Sequence, residues 1–182
     1  MVALRLWLVR HGATDWSAAG RLCGSTDIPL SPEGRAQVDP FRRRVASHSF
    51  TGVWTSDLAR AKEFAQLAVG HVIPDRRLRE LDFGELEGKR WEDLDPSTRN
   101  ALVRFEGFVA PGGESVAQLE ERVGEFLAEL EPGDHLVVTH GGVIRLLARR
   151  CGLAIAPVPG AMTVLEWERV DAKMTPATTK AE

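Results

Sequence analysis

Two segments of the chain share one pattern. Leu8-Val9-Arg10-His11-Gly12 and Val137-Val138-Thr139-His140-Gly141 each run from apolar residues into a histidine followed by glycine. A short apolar run bounded in this way reads as a buried strand, so each segment delivers an imidazole at a strand's carboxyl end. The glycines permit a sharp exit and a close approach of ligand to backbone, which makes Gly141 a candidate binding position. If the two strands are neighbours in a parallel sheet, His11 and His140 converge although they lie far apart in the chain. A metal site would want a third ligand and usually a close-spaced or helical histidine pair, and the sequence shows no such spacing. Arg10 beside His11 argues further for an anion.

A phosphoryl group fits these residues. It needs its oxygens neutralised, an in-line nucleophile and a proton for the leaving alcohol. A neutral His11 imidazole can be the nucleophile. Arg10 can fork onto two phosphate oxygens. Arg60, in Ser56-Asp57-Leu58-Ala59-Arg60-Ala61, falls in the first turn of an expected helix, where the dipole also favours an anion. Glu80, in Leu78-Arg79-Glu80-Leu81-Asp82-Phe83-Gly84, is the candidate acid. His140 can donate to the charge that develops in the transition state.

Together these stretches resemble the histidine phosphatase superfamily, whose fold is called phosphoglycerate mutase-like. The resemblance covers about residues 4–168. It rests on Leu-Val-Arg-His-Gly-Ala-Thr, Ser-Asp-Leu-Ala-Arg-Ala, Glu80 ahead of Phe83-Gly84, and Thr-His-Gly-Gly. It implies an α/β fold, a three-layer α/β/α sandwich around a mostly parallel central sheet. It implies a phosphohistidine intermediate on His11, a phosphoryl group ringed by Arg10, Arg60 and His140, and Glu80 giving and then removing a proton, with no metal and no cofactor. Thr14 and the loop at Arg21, Cys23 and Gly24 are implied on the substrate side; Cys23 stands where many relatives carry a polar residue.

Residues 78–88, 108–115 and 138–145 look like the α-ribazole-5'-phosphate phosphatase group, which implies a hydrolase of cobalamin assembly. The alternatives are a broad-specificity phosphatase of small phosphorylated metabolites, a phosphoglycerate mutase, and a non-catalytic phosphoanion-binding regulatory module. Mutases of the family carry a longer basic insertion between the acid and the second histidine. Only 59 residues separate Glu80 from His140 here, which favours hydrolysis. Every expected catalytic position is filled, which disfavours the non-catalytic module.

The elements that must position these residues read as alternating strands and helices. Strands are expected at Leu4 to Val9, Gly52 to Thr55, Val72-Ile73, His135 to Thr139 and Met162 to Val170, the last of the chain. A helix opens at Ser31-Pro32, and Pro40 should break it near Asp39. Asp57 should cap a helix from Leu58 to about Val69. Residues 77–88 read as a loop, and a weaker helix is expected from Trp91 to Phe105. Ser115 and Gln118 suggest a capping box ahead of a helix with Val116, Leu119, Val123, Phe126, Leu127 and Leu130 on one stripe. A further helix runs from Val143 to Cys151. Residues 1–170 form a single domain in this reading, and 171–182 a disordered tail.

Composition bounds the partners. A net charge of -3 and a pI near 6.0 argue against a nucleic-acid binder and leave a small phosphorylated metabolite as the expected partner. Cys23 and Cys151 suit reduced thiols. The first nine residues lack the features of a signal peptide, and no stretch approaches a membrane span, so the reading is cytoplasmic, away from membranes. A homodimer is compatible with it. No arginine stands six positions after either cysteine, where both residues are proline (Pro29 and Pro157), and no P-loop, nucleophile elbow or dinucleotide fingerprint occurs. His48, His71 and His135 read as surface or structural residues. Arg79 and Asp82 carry no assignment, Glu114 complements a helix dipole, Arg149-Arg150 suit a helix end, and Trp16 and Phe83 either pack in the core or flank a substrate.

Overall fold

The computed structural model describes residues 2–170 and 173–176. In chain order the elements are β1 (Val2–Arg10), α1 (Asp15–Ala18), α2 (Pro32–Ala36), α3 (Val38–Val45), β2 (Gly52–Thr55), α4 (Ala59–Val69), β3 (Ile73–Pro74), α5 (Pro96–Arg104), α6 (Val116–Glu129), β4 (Gly133–Thr139), α7 (Gly141–Arg150), β5 (Met162–Val170) and β6 (Lys173–Pro176). Short 3-10 turns at Arg76–Leu78, Gly84–Leu86 and Trp91–Asp93 punctuate the stretch between β3 and α5.

The strands form one sheet in the order β3-β2-β4-β1-β5-β6. The pairings β3·β2, β2·β4 and β4·β1 are parallel, while β5 and β6 add antiparallel pairs at one side. Side chains alternate across a strand, and both faces of this sheet are covered. Leu4, Leu6 and Leu8 of β1 enter one core with Leu102 of α5, Leu119 and Phe126 of α6 and Ile144 of α7. Val9 of β1 and Leu136 and Val138 of β4 enter the other with Phe41 of α3 and Phe64 of α4. The result is the expected α/β/α sandwich.

The helix starts follow local chemistry in several places. Ser31 Oγ accepts from the Gly34 N–H and Pro32 sits at the first helical position. Ser115 and Gln118 close their capping box, and the expected stripe of α6 is buried. Elsewhere the chain departs from the sequence reading. The break between α2 and α3 falls at Gln37, and Pro40 lies in the first turn of α3, where a helix has no use for the missing N–H. Asp57 does not cap α4; Leu58 holds the cap position without a side-chain bond. The helix expected from Trp91 is divided, because Pro96 starts α5 afresh with Asp95 Oδ1 accepting from the Thr98 N–H at 2.9 Å. Helix α7 begins at Gly141 rather than Val143. Part of the expected tail is ordered: Lys173–Pro176 pairs with β5 as β6, so backbone pairing along β5 overrides the polar composition. The rest of that tail, 171–172 and 177–182, lies outside the described residues. Among the described residues no helix is long and apolar enough to cross a membrane.

One close backbone approach sets the turn after β1. Ser31 N–H and Oγ both donate to the Ala13 carbonyl, at 3.0 and 3.1 Å, and a Cβ on Gly34 would overlap that same carbonyl. Gly34→Ala should therefore destabilise the protein by about 2–4 kcal/mol and lower the melting midpoint by roughly 5–10 °C. Gly124, in the middle of α6, has open space around it, so Gly124→Ala should raise the midpoint through helix propensity. Scanning calorimetry of both variants checks this; an unchanged midpoint for Gly34→Ala would contradict the packing argument.

Candidate active site

β1 and β4 run parallel with Arg10 opposite Thr139, and the His11 N–H still donates to the Thr139 carbonyl at 3.0 Å. Both histidines therefore leave the sheet at the same edge. Their ring centroids lie 4.9 Å apart, edge to face. His11 Nδ1 faces the Gly12 carbonyl at 2.7 Å. A carbonyl only accepts, so Nδ1 carries the proton and Nε2 keeps its lone pair. Arg60 Nε donates to that Nε2 at 3.2 Å. Burial first, then the Arg60 charge, disfavour the imidazolium; the Gly12 bond pulls the other way and Arg10 adds to the depression, leaving a pKa of about 3. His11 is a neutral imidazole with the nitrogen that keeps the lone pair fixed by tautomer.

Arg60 is buried in the first turn of α4. Its Nη1 donates to the Thr26 carbonyl at 2.9 Å and its Nη2 to the Gly24 carbonyl at 2.7 Å. The helix is capped from outside, by Asp27 Oδ1 accepting from the Ala59 N–H at 2.8 Å. Asp57, expected as the cap, is engaged instead in a two-pronged ion pair with Arg79, both contacts 2.7 Å. Arg10 donates from Nη1 to the Pro157 carbonyl at 2.7 Å.

Glu80 is held at both its ends. Its carboxylate accepts from the Leu81 N–H at 2.9 Å and from the Gly142 N–H at 3.0 Å, in the first turn of α7. A Cβ at position 142 would overlap Glu80 Oε1, so only glycine admits the contact. Its carbonyl accepts from Arg122 Nη2 at 3.0 Å, and Arg122 also donates to the carbonyls of Arg77 and Arg79. Glu114 pairs with Arg122 at 2.6 Å and accepts from the Asp82 N–H at 3.3 Å. It is thus a clamp on the segment that carries Glu80, and not the dipole complement that the sequence suggested.

His140 is fully buried, and among the described residues both its ring nitrogens lack a hydrogen-bond partner, as does Arg10 Nε. Burial above all, then the charge of Arg60, holds the His140 imidazole well below its ordinary pKa. Buried polar atoms without partners are uncommon. Three such atoms beside His11 mark a place whose hydrogen bonds an incoming anion would complete.

A cavity of about 270 Å³ opens onto Arg10, His11 and Glu80. Thr14, Ser17, Arg21, Leu22, Cys23 and Phe83 form the rest of its wall with Gly20. Thr14 Oγ1 also caps α1 by accepting from the Ser17 N–H, and Arg21 Nη1 donates to the Gly88 carbonyl at 2.6 Å. Burial pushes the Cys23 thiol up, against the opposing charge of Arg60. Three expected substrate-side residues, Thr14, Arg21 and Cys23, thus do face the cavity. Gly24 does not: it packs against the Leu81 carbonyl and serves through its own carbonyl on Arg60. Gly141 opens α7 near the Arg10 guanidinium, and Arg60 and His140 lie behind the wall. Trp16 lies against Gly88, away from the cavity. Among the described residues no group of three His, Cys, Asp or Glu side chains is placed to hold a metal ion.

Sequence reading missed Gly142, Arg122 and Asp27. The second glycine of His140-Gly141-Gly142 was a usable signal. Arg122 sits on the polar face of α6 and looks there like any solvated charge.

Unfolded histidine titrates near 6.5. Below that pH the unfolded chain takes up protons that folded His11 refuses until about pH 3. The associated stability is present above pH 6.5 and declines as pH falls, by about 1.4 kcal/mol per pH unit for one such histidine. Nitrogen-15 NMR of the imidazoles should find the Nδ1–H tautomer of His11 unchanged from pH 8 to pH 5; a midpoint near 6.5 would contradict the geometry.

The chain matches the model of the histidine phosphatase superfamily, branch 1, over residues 6–167. It is 38% identical to "Probable phosphoglycerate mutase GpmB" of Serratia proteamaculans, over 76% of this chain and 70% of that protein. It superposes on the crystal structure of a phosphoglycerate mutase from Thermus thermophilus with a TM-score of 0.82 and 44% identity, covering 88% of this chain and 92% of that one. A "putative alpha-ribazole-5'-P phosphatase" of Escherichia coli K-12 gives a TM-score of 0.78 at 27% identity, over 96% and 94% of the two chains. With the match spanning both histidines, both arginines and the intervening carboxylate, the chain belongs to the histidine phosphatase superfamily.

Proposed function

We propose that this protein is a metal-independent phosphomonoester hydrolase in which His11 carries the phosphoryl group. The observation that carries the reading is the state of His11. Its Nδ1 proton is committed to the Gly12 carbonyl and its pKa is about 3, so Nε2 is an unprotonated nucleophile at any physiological pH. In the first step phosphate enters beside Arg10 and displaces the Arg60 Nε contact from Nε2. Arg60 stays anchored through Gly24 and Thr26 and turns its charge to the phosphate oxygens. The N–P bond forms as the P–O bond breaks, and Glu80 delivers its proton to the leaving oxygen. His140 donates to the developing charge. Water then attacks phosphorus, its proton returns to Glu80, and His11 leaves as neutral imidazole.

For the alcohol, the proposal is α-ribazole. The stretches 78–88 and 108–115 and the likeness to the Escherichia coli protein support it. The mutase reading is supported by the names of the Serratia and Thermus relatives. Against it, the 59 residues between Glu80 and His140 are net acidic and hold α5, α6 and β4, with no basic insertion to retain a bisphosphate.

Specificity constants in chelator for α-ribazole 5'-phosphate, p-nitrophenyl phosphate and 3-phosphoglycerate test this. The expected result is orthophosphate release with a preference of about a hundredfold or more for the ribazole ester, abolished in His11→Ala. Isomerisation of 3-phosphoglycerate outpacing orthophosphate release would establish the mutase reading instead; comparable rates on all esters would mean broad specificity.

Gly142→Ala displaces the Glu80 carboxylate and should lower kcat for alkyl esters by about a hundredfold. The loss should be smaller for p-nitrophenyl phosphate, whose leaving group needs less protonation. Equal losses on both would remove Glu80 from the role of acid.

A further inference from the structure

Glu87 lies outside the cavity wall, yet its carboxylate gathers an unusual number of donors. Oε1 accepts from the Ser25 N–H at 2.7 Å, from Ser25 Oγ at 3.0 Å and from the Phe83 N–H at 3.3 Å. Oε2 accepts from the Thr26 N–H at 2.8 Å and from Thr26 Oγ1. Burial works to raise this carboxyl, but the bonds from Thr26 and Ser25 outweigh it and hold its pKa below the ordinary value. None of these donors is a cation, so the bonds order a loop rather than form an ion pair.

The loop so held is the one on which Arg60 rests. Two of the three backbone N–H groups that bind Glu87 belong to residues 25 and 26, and the carbonyl in the peptide unit of the first is that of Gly24. That carbonyl and the carbonyl of Thr26 receive Arg60 Nη2 and Nη1. The next residue, Asp27, caps the helix that carries Arg60. Gly24 is packed closely against both Glu87 and the segment that carries Glu80: a Cβ there would lie 2.6 Å from Glu87 Oε1 and closer still to the Leu81 carbonyl oxygen. Arg60 in turn reaches His11 Nε2.

We infer that Glu87 is a positioning residue for the phosphate site: by fixing the Gly24 and Thr26 carbonyls it sets where the Arg60 guanidinium stands relative to His11. Glu87 is not part of the cavity wall, and in this inference its effect on anion binding passes through Arg60. The inference deepens the phosphohydrolase reading and rests on it.

The test is a double-mutant cycle on anion binding, with orthovanadate and inorganic phosphate as probes, in the wild type, Glu87→Gln, Arg60→Lys and the double variant. Glu87→Gln keeps the volume but points an amide NH₂ at donors. It should weaken vanadate binding about tenfold or more in the wild-type background, and less than about twofold where Arg60 is already lysine. Melting midpoints measured beside the affinities show that each variant is folded. Should Glu87→Gln fail to fold, Thr26→Val removes one donor while keeping the backbone, and should give a smaller loss with the same dependence on Arg60. Equal losses with and without Arg60, or no loss in folded Glu87→Gln, overturn the inference. Failure of the wild type itself to bind either anion would instead bring down the phosphohydrolase reading on which it rests.

Discussion

The parallel pairing of β1 with β4 is the constraint from which the site follows. Arg10 lies opposite Thr139, so the next residue on each strand is a histidine, and both histidines emerge together although most of the chain separates them. Because both strands are central and covered on both faces, the imidazoles emerge buried. Desolvation is then the first cause of the depressed pKa of each. A shift of register by one residue would turn one histidine to the opposite face and end the convergence.

For a net-acidic protein to bind an anion, as proposed, positive charge must stay unneutralised at the site. The arginines here divide into two kinds. Arg77, Arg79 and Arg122 are engaged with carboxylates, on Asp75 and Glu129, Asp57 and Glu114. Among the described residues Arg10 and Arg60 have no ion-pair partner; their N–H groups are held by the carbonyls of Pro157, Thr26 and Gly24. A carbonyl satisfies and orients a guanidinium without cancelling its charge. The two kinds are joined, because Arg122 spends its remaining donors on the backbone around Glu80.

The glycines of the site act through contact more than through turn geometry. Gly142 makes room for the Glu80 carboxylate, Gly24 for the Leu81 carbonyl, and Gly34 for the Ala13 carbonyl. At Gly24 and Gly34 a Cβ would meet the backbone of a neighbouring segment, and at Gly142 it would meet the tip of the Glu80 side chain. The Glu80 carboxylate meets the first turn of α7 because no Cβ intervenes, and an N–H left open at the helix start holds it there.

Much of this was legible in sequence because it is encoded locally. Apolar runs ending in His-Gly read as strands, Ser31-Pro32 and the Ser115 capping box read as helix starts, and the types and spacing of Arg10, His11, Arg60, Glu80 and His140 carried the phosphate reading and the family resemblance. Tertiary structure decided what depends on partners distant in the chain. Asp57 has the local credentials of a cap but meets Arg79, and Asp27 takes its place across 32 positions. Pro40 could break a helix or begin one, and the break at Gln37 chose the second. Lys173–Pro176 has the composition of a tail but finds the open edge of β5. The sequence determined which groups could do chemistry; only the fold decided which atoms each one touches. Propensity acts within a few residues, whereas a hydrogen-bond partner is chosen by whatever the packed sheet brings within about 3 Å.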